Sequence, residues 1–208
     1  MGGHNPQNRI YLASKSPRRR ELLKQIGVNF EVLLLREFPA LRQDVDERPH
    51  TDERPDIYVV RVARQKAEIG ALRVQERHLP ILPVLSADTT VVLDNTIIGK
   101  PADKNQAADI LRRLSGKAHH VMSAVALHHS GQLSSVLSIT EVRFRKLSDD
   151  EIHRYIASGE PMDKAGAYGI QGRAAAFIAG IAGSYSGVMG LPLFETVELL
   201  KKINFPIP

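Results

Sequence analysis

The chain has 208 residues, of which 43% are hydrophobic and 25% charged, a composition typical of a globular protein with a sizeable core. It contains no cysteine, which excludes a disulfide scaffold, a zinc–thiolate centre and thiol catalysis and suits a reducing cytoplasm. We find neither a membrane-spanning apolar run nor a signal-peptide pattern. The net charge of +5 favours an anionic ligand but does not separate a nucleotide from a nucleic acid.

The first elements predict an anion-binding helix start. We expect a flexible arm over residues 1–9 and a single domain over residues 10–205, beginning with a strand at residues 10–13. Ser16 suits the N-cap of the helix that follows, and Pro17 suits its first position. Two serines and three arginines gather there, where free backbone N–H groups and guanidinium groups match phosphate oxygens. A capped surface helix with solvated arginines is the alternative.

A strand, a loop and a long helix come next. Residues 30–35 predict the strand, and the charged, proline-containing residues 36–54 predict the loop, which carries the acidic pair Asp46 and Glu47. The helix is predicted over residues 55–74. Four apolar positions are expected to face inward at helical spacing, namely Ile57, Val60, Ala63 and Ala67.

A hairpin over residues 86–101 is the most unusual part of the chain. It follows residues 79–85, which predict a buried strand, and it turns at residues 94–95. Asp88 stands where apolar residues are expected, and burying a carboxylate costs several kcal/mol unless a cation or metal meets it. The hairpin ends beside Lys100, so an acid and a base bracket it.

The turn length decides which side chains share a face of this hairpin. If the turn has two residues, Leu93 pairs with Thr96. Counting outward then places Thr89 opposite Lys100, with Asp88 on the other face. A longer turn or a bulge would put Asp88 and Lys100 on one face.

The second half of the chain predicts a ligand-binding segment over residues 163–172. Three glycines there permit close backbone approach to a ligand, Lys164 adds a cation and Gln171 an amide; a flexible turn is the alternative. Histidine pairs on the strand over 119–129 could hold a metal, although no third ligand is in register. The other predicted elements are a helix after a capping box at 103–106, a strand at 133–144, a helix after a second capping box at 148–151, a strand at 174–181, a loop at 183–187 and a last helix at 190–200.

Seven short motifs lie along the chain. They are LASKSPRR at 12–19, ADT at 87–89, GKP at 99–101, LSG at 114–116, GEP at 159–161, DKAGAYGIQG at 163–172 and GLP at 190–192. Together and in this order they resemble the Maf family, over about residues 10–200. The resemblance implies a nucleoside triphosphate pyrophosphatase with the α/β fold of that family, related to the inosine-triphosphate pyrophosphatases. We therefore expect an elongated mixed sheet flanked by helices, with two lobes around a nucleotide cleft.

The resemblance also assigns roles to residues. The catalytic carboxylate falls on Asp88, as the proton acceptor or as a magnesium ligand that positions hydroxide, because an ordinary Asp, with a pKa of about 4, is a poor base. Glu47 is expected to share a divalent metal, Mg or Mn, with Asp88. The positions expected to select the substrate are Arg18, Thr89 and Gln171. The positions expected to bind phosphate are Ser14, Arg19, Lys66, Lys100 and Lys164.

Gln171 narrows the expected substrate. A uracil or thymine edge offers acceptor oxygens beside an N3–H donor, and a primary amide can pair with that edge. The Arg18, Thr89 and Gln171 set resembles the subfamily that acts on dTTP and UTP. Two alternatives stay open, namely the sister subfamily acting on 7-methyl-GTP and a non-catalytic cell-division regulator or nucleic-acid binder. The resemblance implies a cytoplasmic homodimer, with neither a membrane nor a nucleic acid as an expected partner.

Overall fold

The computed structural model of the protein describes residues 8–36 and 44–207. The predicted arm lies outside the described residues except at its last two positions, and Arg9 already begins the first strand. Part of the predicted loop over residues 36–54 lies outside them as well. Within the described residues, no helix combines the length and the apolar character that crossing a membrane requires.

The described residues form one mixed sheet of seven strands. These are β1 (Arg9–Leu12), β2 (Asn29–Val32), β3 (Val84–Leu93), β4 (Thr96–Ile98), β5 (Ala118–His129), β6 (Gln132–Phe144) and β7 (Ile178–Ala182). The order across the sheet is β2-β1-β3-β5-β6-β7, with β4 paired to β3 outside this path. β1 runs parallel to β2 and β3, whereas β3 pairs with β4 and β5 in antiparallel fashion, as β6 does with β5 and β7.

Helices flank this sheet, which confirms the predicted fold class. In the described residues they are α1 (Pro17–Gln25), α2 (Pro55–Glu76), α3 (Lys104–Leu114), α4 (Asp149–Ala157), α5 (Tyr185–Met189) and α6 (Leu193–Lys201). Their ends follow the predicted signals. Pro17 opens α1, Gly27 follows it at a φ of +69°, and Ser148 forms a reciprocal capping box with Glu151 at the start of α4.

One face of the sheet carries two apolar clusters with a polar position between them. Leu85 and Ala87 of β3 belong to a cluster with residues of α1 and α6, whereas Val91 and Leu93 belong to a cluster with residues of α3 and α4. Thr89 lies between the two on the same face, because side chains alternate along a strand. The two clusters are the cores of two lobes, as expected, and the opposite face is covered by α2.

The long strand β3 has an open stretch along one edge. β1 pairs with it only at Val84 and Leu85, and β4 pairs with it only from Val91 to Leu93. In the described part of the chain, residues 86–90 have no strand neighbour on that side. Side chains from both faces of β3 can therefore reach one space beside this edge.

The hairpin after β3 has the predicted two-residue turn. Asp94 and Asn95 both take a positive φ, +50° and +60°, and Leu93 pairs with Thr96. These angles suit the tight turns that match the twist of paired strands. The register predicted from a two-residue turn is therefore confirmed at the turn.

The outward count from that turn is wrong, because the ladder between the two strands stops early. β4 ends at Ile98, so Thr89 and Lys100 do not pair. The chain leaves the strand at Gly99, whose carbonyl accepts a hydrogen bond of 3.1 Å from the N–H of Gly166. Lys100 is thereby carried toward the glycine-rich segment.

The predicted inward face of α2 is partly wrong. Ala63 and Ala67 are buried as predicted, but Ile57 is 55% exposed and Val60 only half-buried. The neighbouring Tyr58, Val59 and Val62 face the sheet instead. The sheet contacts the adjacent stripe of the helix, which buries more side-chain volume.

Four other boundaries differ from the predictions. The strand expected at residues 79–85 begins only at Val84, because the prolines before it cannot donate to a ladder. The strand expected at residues 30–35 runs from Asn29 to Val32. The strand expected at residues 174–181 is preceded by a turn of 3-10 helix (Arg173–Phe177), and the expected loop at residues 183–187 enters α5.

Candidate active site

The polar loop after β1 wraps around the side chain of Arg19. Nε of Arg19 donates to the carbonyl of Gly190 (2.8 Å), and Nη1 donates to Oγ of Ser14 (3.1 Å). Burial lowers the pKa of Arg19, while the carboxylates of Asp88 and Glu47 act in the opposite direction. Because a guanidinium titrates so far above neutral pH, Arg19 remains a fixed positive charge.

Asp88 is paired with a lysine from the covering helix α2. Nζ of Lys66 donates to Oδ1 of Asp88 (2.8 Å) and lies 2.9 Å from Oε1 of Glu47. The side chains of Lys66 and Asp88 are only 12% and 11% exposed. The cation that Asp88 requires is therefore Lys66, while Lys100 stands exposed elsewhere on the cleft wall.

The loop that carries Glu47 is clamped onto α2. Arg61 holds both oxygens of Glu53 (2.6 and 2.8 Å) and donates to the carbonyls of Asp46 (3.0 Å) and Arg48 (2.9 Å). This fork lowers the pKa of Glu53 to about 2. These bonds fix the backbone on both sides of Glu47.

A second clamp closes the chain just before that loop. The N–H of Asp44 donates to the carbonyl of Arg36 (3.2 Å), and the N–H of Arg36 donates to Oδ2 of Asp44 (2.8 Å). Arg73 of α2 binds both carboxylate oxygens of Asp44. We call this arrangement the Arg36–Asp44 neck, and it joins the two ends of residues 37–43.

Thr89 points to the face opposite Asp88. Its hydroxyl lies 2.8 Å from Oγ of Ser123, its partner across β5, and 3.5 Å from Nη2 of Arg19. Ser123 in turn donates to the carbonyl of Gly187 (2.7 Å). Thr89 is therefore fixed by a hydrogen-bonded chain that reaches α5.

The glycine-rich segment ends in a tight turn that presents Gln171. The N–H of Gly172 donates to the carbonyl of Gly169 (3.0 Å), and between them Ile170 is buried whereas Gln171 is exposed. Lys164 is partly buried beside this turn, where its Nζ donates to the carbonyl of Glu160 (2.7 Å) and to Asp163. The amide of Gln171 is thus available to a ligand, while Lys164 is already partnered.

All ten predicted site residues line one cleft of about 1140 Å³ beside the open edge of β3. They are Ser14, Arg18, Arg19, Glu47, Lys66, Asp88, Thr89, Lys100, Lys164 and Gln171. Its lining includes seven Lys and Arg side chains and four carboxylates, an excess of positive charge that suits a polyphosphate. The cleft is also large enough for a nucleotide.

Residues outside the predicted set complete this cleft. Ser123 fixes Thr89, Glu160 contacts the turn of Gln171, and Asp163 pairs with Lys164. Ser123 could have been found only from the strand register, which places it opposite Thr89. Glu160 stands in the GEP motif, but the sequence did not show that this carboxylate faces residues twelve positions later.

The carboxylates of Asp88 and Glu47 are the side chains best placed to hold a divalent cation. Both approach the same Lys66 ammonium, so two hard oxygen donors already converge on one positive charge. In residues 8–36 and 44–207, no group of three or more His, Cys, Asp or Glu side chains could hold a metal. This donor set fits a magnesium-like ion that takes its other ligands from phosphate and water.

The histidine alternative is not supported in the part of the chain that the structure describes. His119 is buried, its Nε2 lies 2.8 Å from the hydroxyl of Tyr168, and burial lowers its pKa to about 4. A neutral, enclosed imidazole on this strand serves the core.

Comparison with known proteins places the chain in a family. The model of the Maf-like proteins matches residues 9–203, so the chain belongs to the Maf family, as the motifs indicate. Among its relatives, a dTTP/UTP pyrophosphatase of Aromatoleum aromaticum is 59% identical, covering 97% of this chain and 98% of the relative. The dTTP/UTP pyrophosphatases of Dechloromonas aromatica (56% identical, 95% and 98% covered) and Nitrosomonas europaea (57% identical, 96% and 97% covered) are also similar.

A solved structure offers a weaker likeness. The Staphylococcus aureus Ham1 protein aligns over 94% of this chain and 97% of its own, with a TM-score of 0.47 and 12% identity. A likeness at this level is too weak to support an inference about function.

Proposed function

We propose that the protein hydrolyses dTTP and UTP to the monophosphate and pyrophosphate. The observation that carries the proposal is the convergence of Asp88, a surplus of cations and the Gln171 amide on one cleft. The names of the relatives, dTTP/UTP pyrophosphatases at 52–59% identity, support the same substrates.

The cleft offers what this reaction requires. Water attacks the α-phosphorus, a new P–O bond forms, and the bond from that phosphorus to the oxygen bridging to the β-phosphate breaks, so pyrophosphate leaves. Asp88 accepts a proton of the water, and because Lys66 engages only Oδ1, Oδ2 remains for this role. Arg19 and Lys100 stabilise the charge of the triphosphate.

A divalent cation, Mg or Mn, is part of the proposal. When bound by Asp88 and Glu47, it neutralises charge on the triphosphate and lowers the pKa of a coordinated water. Lys66 now neutralises both carboxylates, and it can turn to a phosphate once another cation does so. This accounts for its position among carboxylates and for its predicted phosphate role.

Gln171 provides the basis for choosing the pyrimidine. Its exposed amide can accept the N3–H of uracil or thymine and donate to a neighbouring carbonyl. Thr89 and Arg18 line the same cleft, where we assign them to substrate selection.

A substrate panel with magnesium tests the proposal. We expect dTTP and UTP to yield equal amounts of monophosphate and pyrophosphate, each quantified separately. Rapid cleavage of 7-methyl-GTP without pyrimidine turnover would overturn the choice of substrate. Release of orthophosphate would overturn the reaction, and tight binding of long polyanions with steep salt dependence and no turnover would indicate a nucleic-acid binder.

We also propose that the protein acts in the cytoplasm as a homodimer. The absence of cysteine suits a reducing compartment, and the dimer follows from the family. Light scattering measures the mass of the particle directly. A monomer mass at working concentration would contradict the dimer and leave the assignment of the reaction untouched.

A further inference from the structure

The carboxylate of Glu160 lies underneath the turn that presents Gln171. Its Oε2 accepts the backbone N–H of Arg173 (3.0 Å), and its Oε1 accepts the hydroxyl of Tyr155 (2.9 Å). Tyr155 is 4% exposed and packs edge-on against Phe177 in the core. The carboxylate therefore joins a rigid side chain of α4 to the backbone that follows Gln171.

The fit between Glu160 and the turn is tight. A Cβ added to Gly172 would lie 2.0 Å from Oε1 of Glu160, which is far inside van der Waals contact. Gly172 has a φ of −97° and a ψ of −157°, a conformation open to any residue, so the glycine is required by the neighbouring carboxylate and not by the backbone. The glycine at the end of the motif and Glu160 fit each other.

Glu160 also reaches the lysine of the same segment. Its backbone carbonyl accepts Nζ of Lys164 (2.7 Å), and a Cβ on Gly169 would lie 2.9 Å from Cε of Lys164. Each side-chain oxygen of Glu160 already accepts a hydrogen bond, so its role in the cleft is to hold other groups.

We propose that Glu160 is the positioning residue for nucleobase recognition, because its carboxylate holds the turn of residues 169–172 that carries Gln171. The proposal rests on the proposed function, in which the base meets the Gln171 amide. A mobile amide would also accept cytosine, which offers a donor and an acceptor in the reversed order. Fixing the turn therefore sets selectivity for uracil and thymine over cytosine.

Four variants separate positioning from general stability. Glu160→Ala removes the support, and Gly172→Ala pushes the turn off it. Glu160→Gln keeps the length and both contacts, since its oxygen can accept the N–H of Arg173 while its amide donates to the hydroxyl of Tyr155. Glu160→Asp keeps the charge but falls one methylene short. The matched control is Glu198→Ala, an exposed glutamate of α6 that pairs with Lys201 outside the cleft.

The first measurement is steady-state kinetics with dTTP and dCTP. We expect Glu160→Ala, Glu160→Asp and Gly172→Ala to lower kcat/KM for dTTP about tenfold, mainly through KM, and to reduce the preference for dTTP over dCTP. Glu160→Gln and Glu198→Ala should behave like the wild type. Wild-type kcat/KM and selectivity in Glu160→Ala would overturn the proposal.

A double variant tests whether the two sites act through each other. Once the carboxylate is gone, the added methyl group of Gly172→Ala has nothing to meet, so it should cost less in Glu160→Ala than in the wild type. Full additivity of the two losses would overturn the direct link. If Glu160→Ala does not fold, Gly172→Ala and Glu160→Asp carry the test.

Hydrogen exchange gives a readout that needs no substrate. Amides of residues 169–173 should exchange faster in Glu160→Ala than in the wild type, and Glu160→Gln should restore protection. If the wild type turns over neither dTTP nor UTP, the proposed function fails, and exchange still decides whether Glu160 holds the turn. Unchanged exchange in Glu160→Ala would overturn that role even in an active enzyme.

Discussion

Asp88 and Glu47 share the ammonium group of Lys66, so neither carboxylate depends on the other for neutralisation. Leaving a buried charge without a partner is what makes most substitutions of buried ion pairs costly. Replacing Asp88 by asparagine leaves Lys66 with Glu47. A chemical role for Asp88 can therefore be tested without unfolding the protein.

Asp88→Asn should abolish pyrophosphate release while nucleotide binding survives. An amide neither accepts a proton nor holds a divalent cation as a carboxylate does, so we expect a loss of about a hundredfold to ten-thousandfold in kcat. A pyrophosphate assay measures the loss, and calorimetry measures the binding of dTTP. Asp109→Asn, on the exposed face of α3, is the control, and substantial activity in Asp88→Asn would contradict the assignment.

Gln171→Glu should lower pyrimidine turnover more than it lowers stability. The carboxylate presents only acceptors to the carbonyl oxygens of the base, whereas the exposed position of Gln171 contributes little to the core. We expect kcat/KM for dTTP to fall about tenfold or more, with little change in melting temperature. An equal loss of thermal stability would indicate a structural role.

The residues that sequence motifs could predict are those whose chemistry is visible in isolation. Asp88 in an apolar run and arginines at a helix start are unusual wherever they occur, and both line the cleft. Ser123 and Glu160 are ordinary in their own segments. Their importance comes from distant partners, Thr89 and the N–H of Arg173, and only the folded chain brings them together.

At the level of elements, α2 supplies more to the cleft than Lys66. Tyr58 donates to the carbonyl of Glu47 (2.9 Å), while Arg61 binds the loop on both sides of it and lies over the ring of Tyr58. The helix therefore fixes the lysine and the loop glutamate relative to each other. Groups that orient a metal ligand typically change metal affinity when they are removed.

Arg61→Ala should raise the magnesium concentration needed for half-maximal activity by about tenfold or more. The loop that carries Glu47 would lose its fork to Glu53 and two backbone contacts, while Asp88 and Lys66 stay in place. Arg64→Ala is the matched control, because Arg64 lies one turn further along α2 and donates only to Ser135 in the described residues. Equal magnesium curves for the two variants would contradict this role of the clamp.

Element types were predicted better than their faces and ends. The helix and strand patterns came from local signals such as Pro17 and the capping box at Ser148. The inward face of α2 depends on which stripe meets the sheet, and Ile57 is an apolar residue left outside. The late start of the last strand follows from the capture of the Arg173 N–H by Glu160, a contact between separate segments.

In the whole molecule, stability and the cleft are linked through a buried histidine. His119 packs edge-on against Phe144 and Tyr168, and its Nε2 contacts the hydroxyl of Tyr168, which belongs to the glycine-rich segment. Its Nδ1 is buried without a hydrogen-bond partner among the described residues. Such a site holds the imidazole in its neutral form.

This burial predicts a dependence of unfolding on pH. The pKa of His119 falls from 6.5 to about 4 on folding, so the unfolded chain binds the proton first as the pH decreases. The contribution to stability is complete above pH 6.5 and is lost as the pH falls from 6.5 toward 4, by about 3 kcal/mol in all.

Urea unfolding at several pH values within that window checks this expectation. His119→Gln should lose this part of the pH dependence, whereas His120→Gln, at the exposed neighbouring position, should retain it. The same slope in both variants would contradict a role for His119 in the pH response.

The Arg36–Asp44 neck has a practical consequence for following this protein in solution. Because the neck joins its two ends and Arg73 anchors it, the number and kind of residues between them can change without shifting Glu47. The chain has no cysteine, so one introduced within residues 37–43 would be the sole attachment point for a thiol-reactive dye. Since Arg36 lines the cleft, such a dye would be tethered where it can report nucleotide entry as a change in fluorescence.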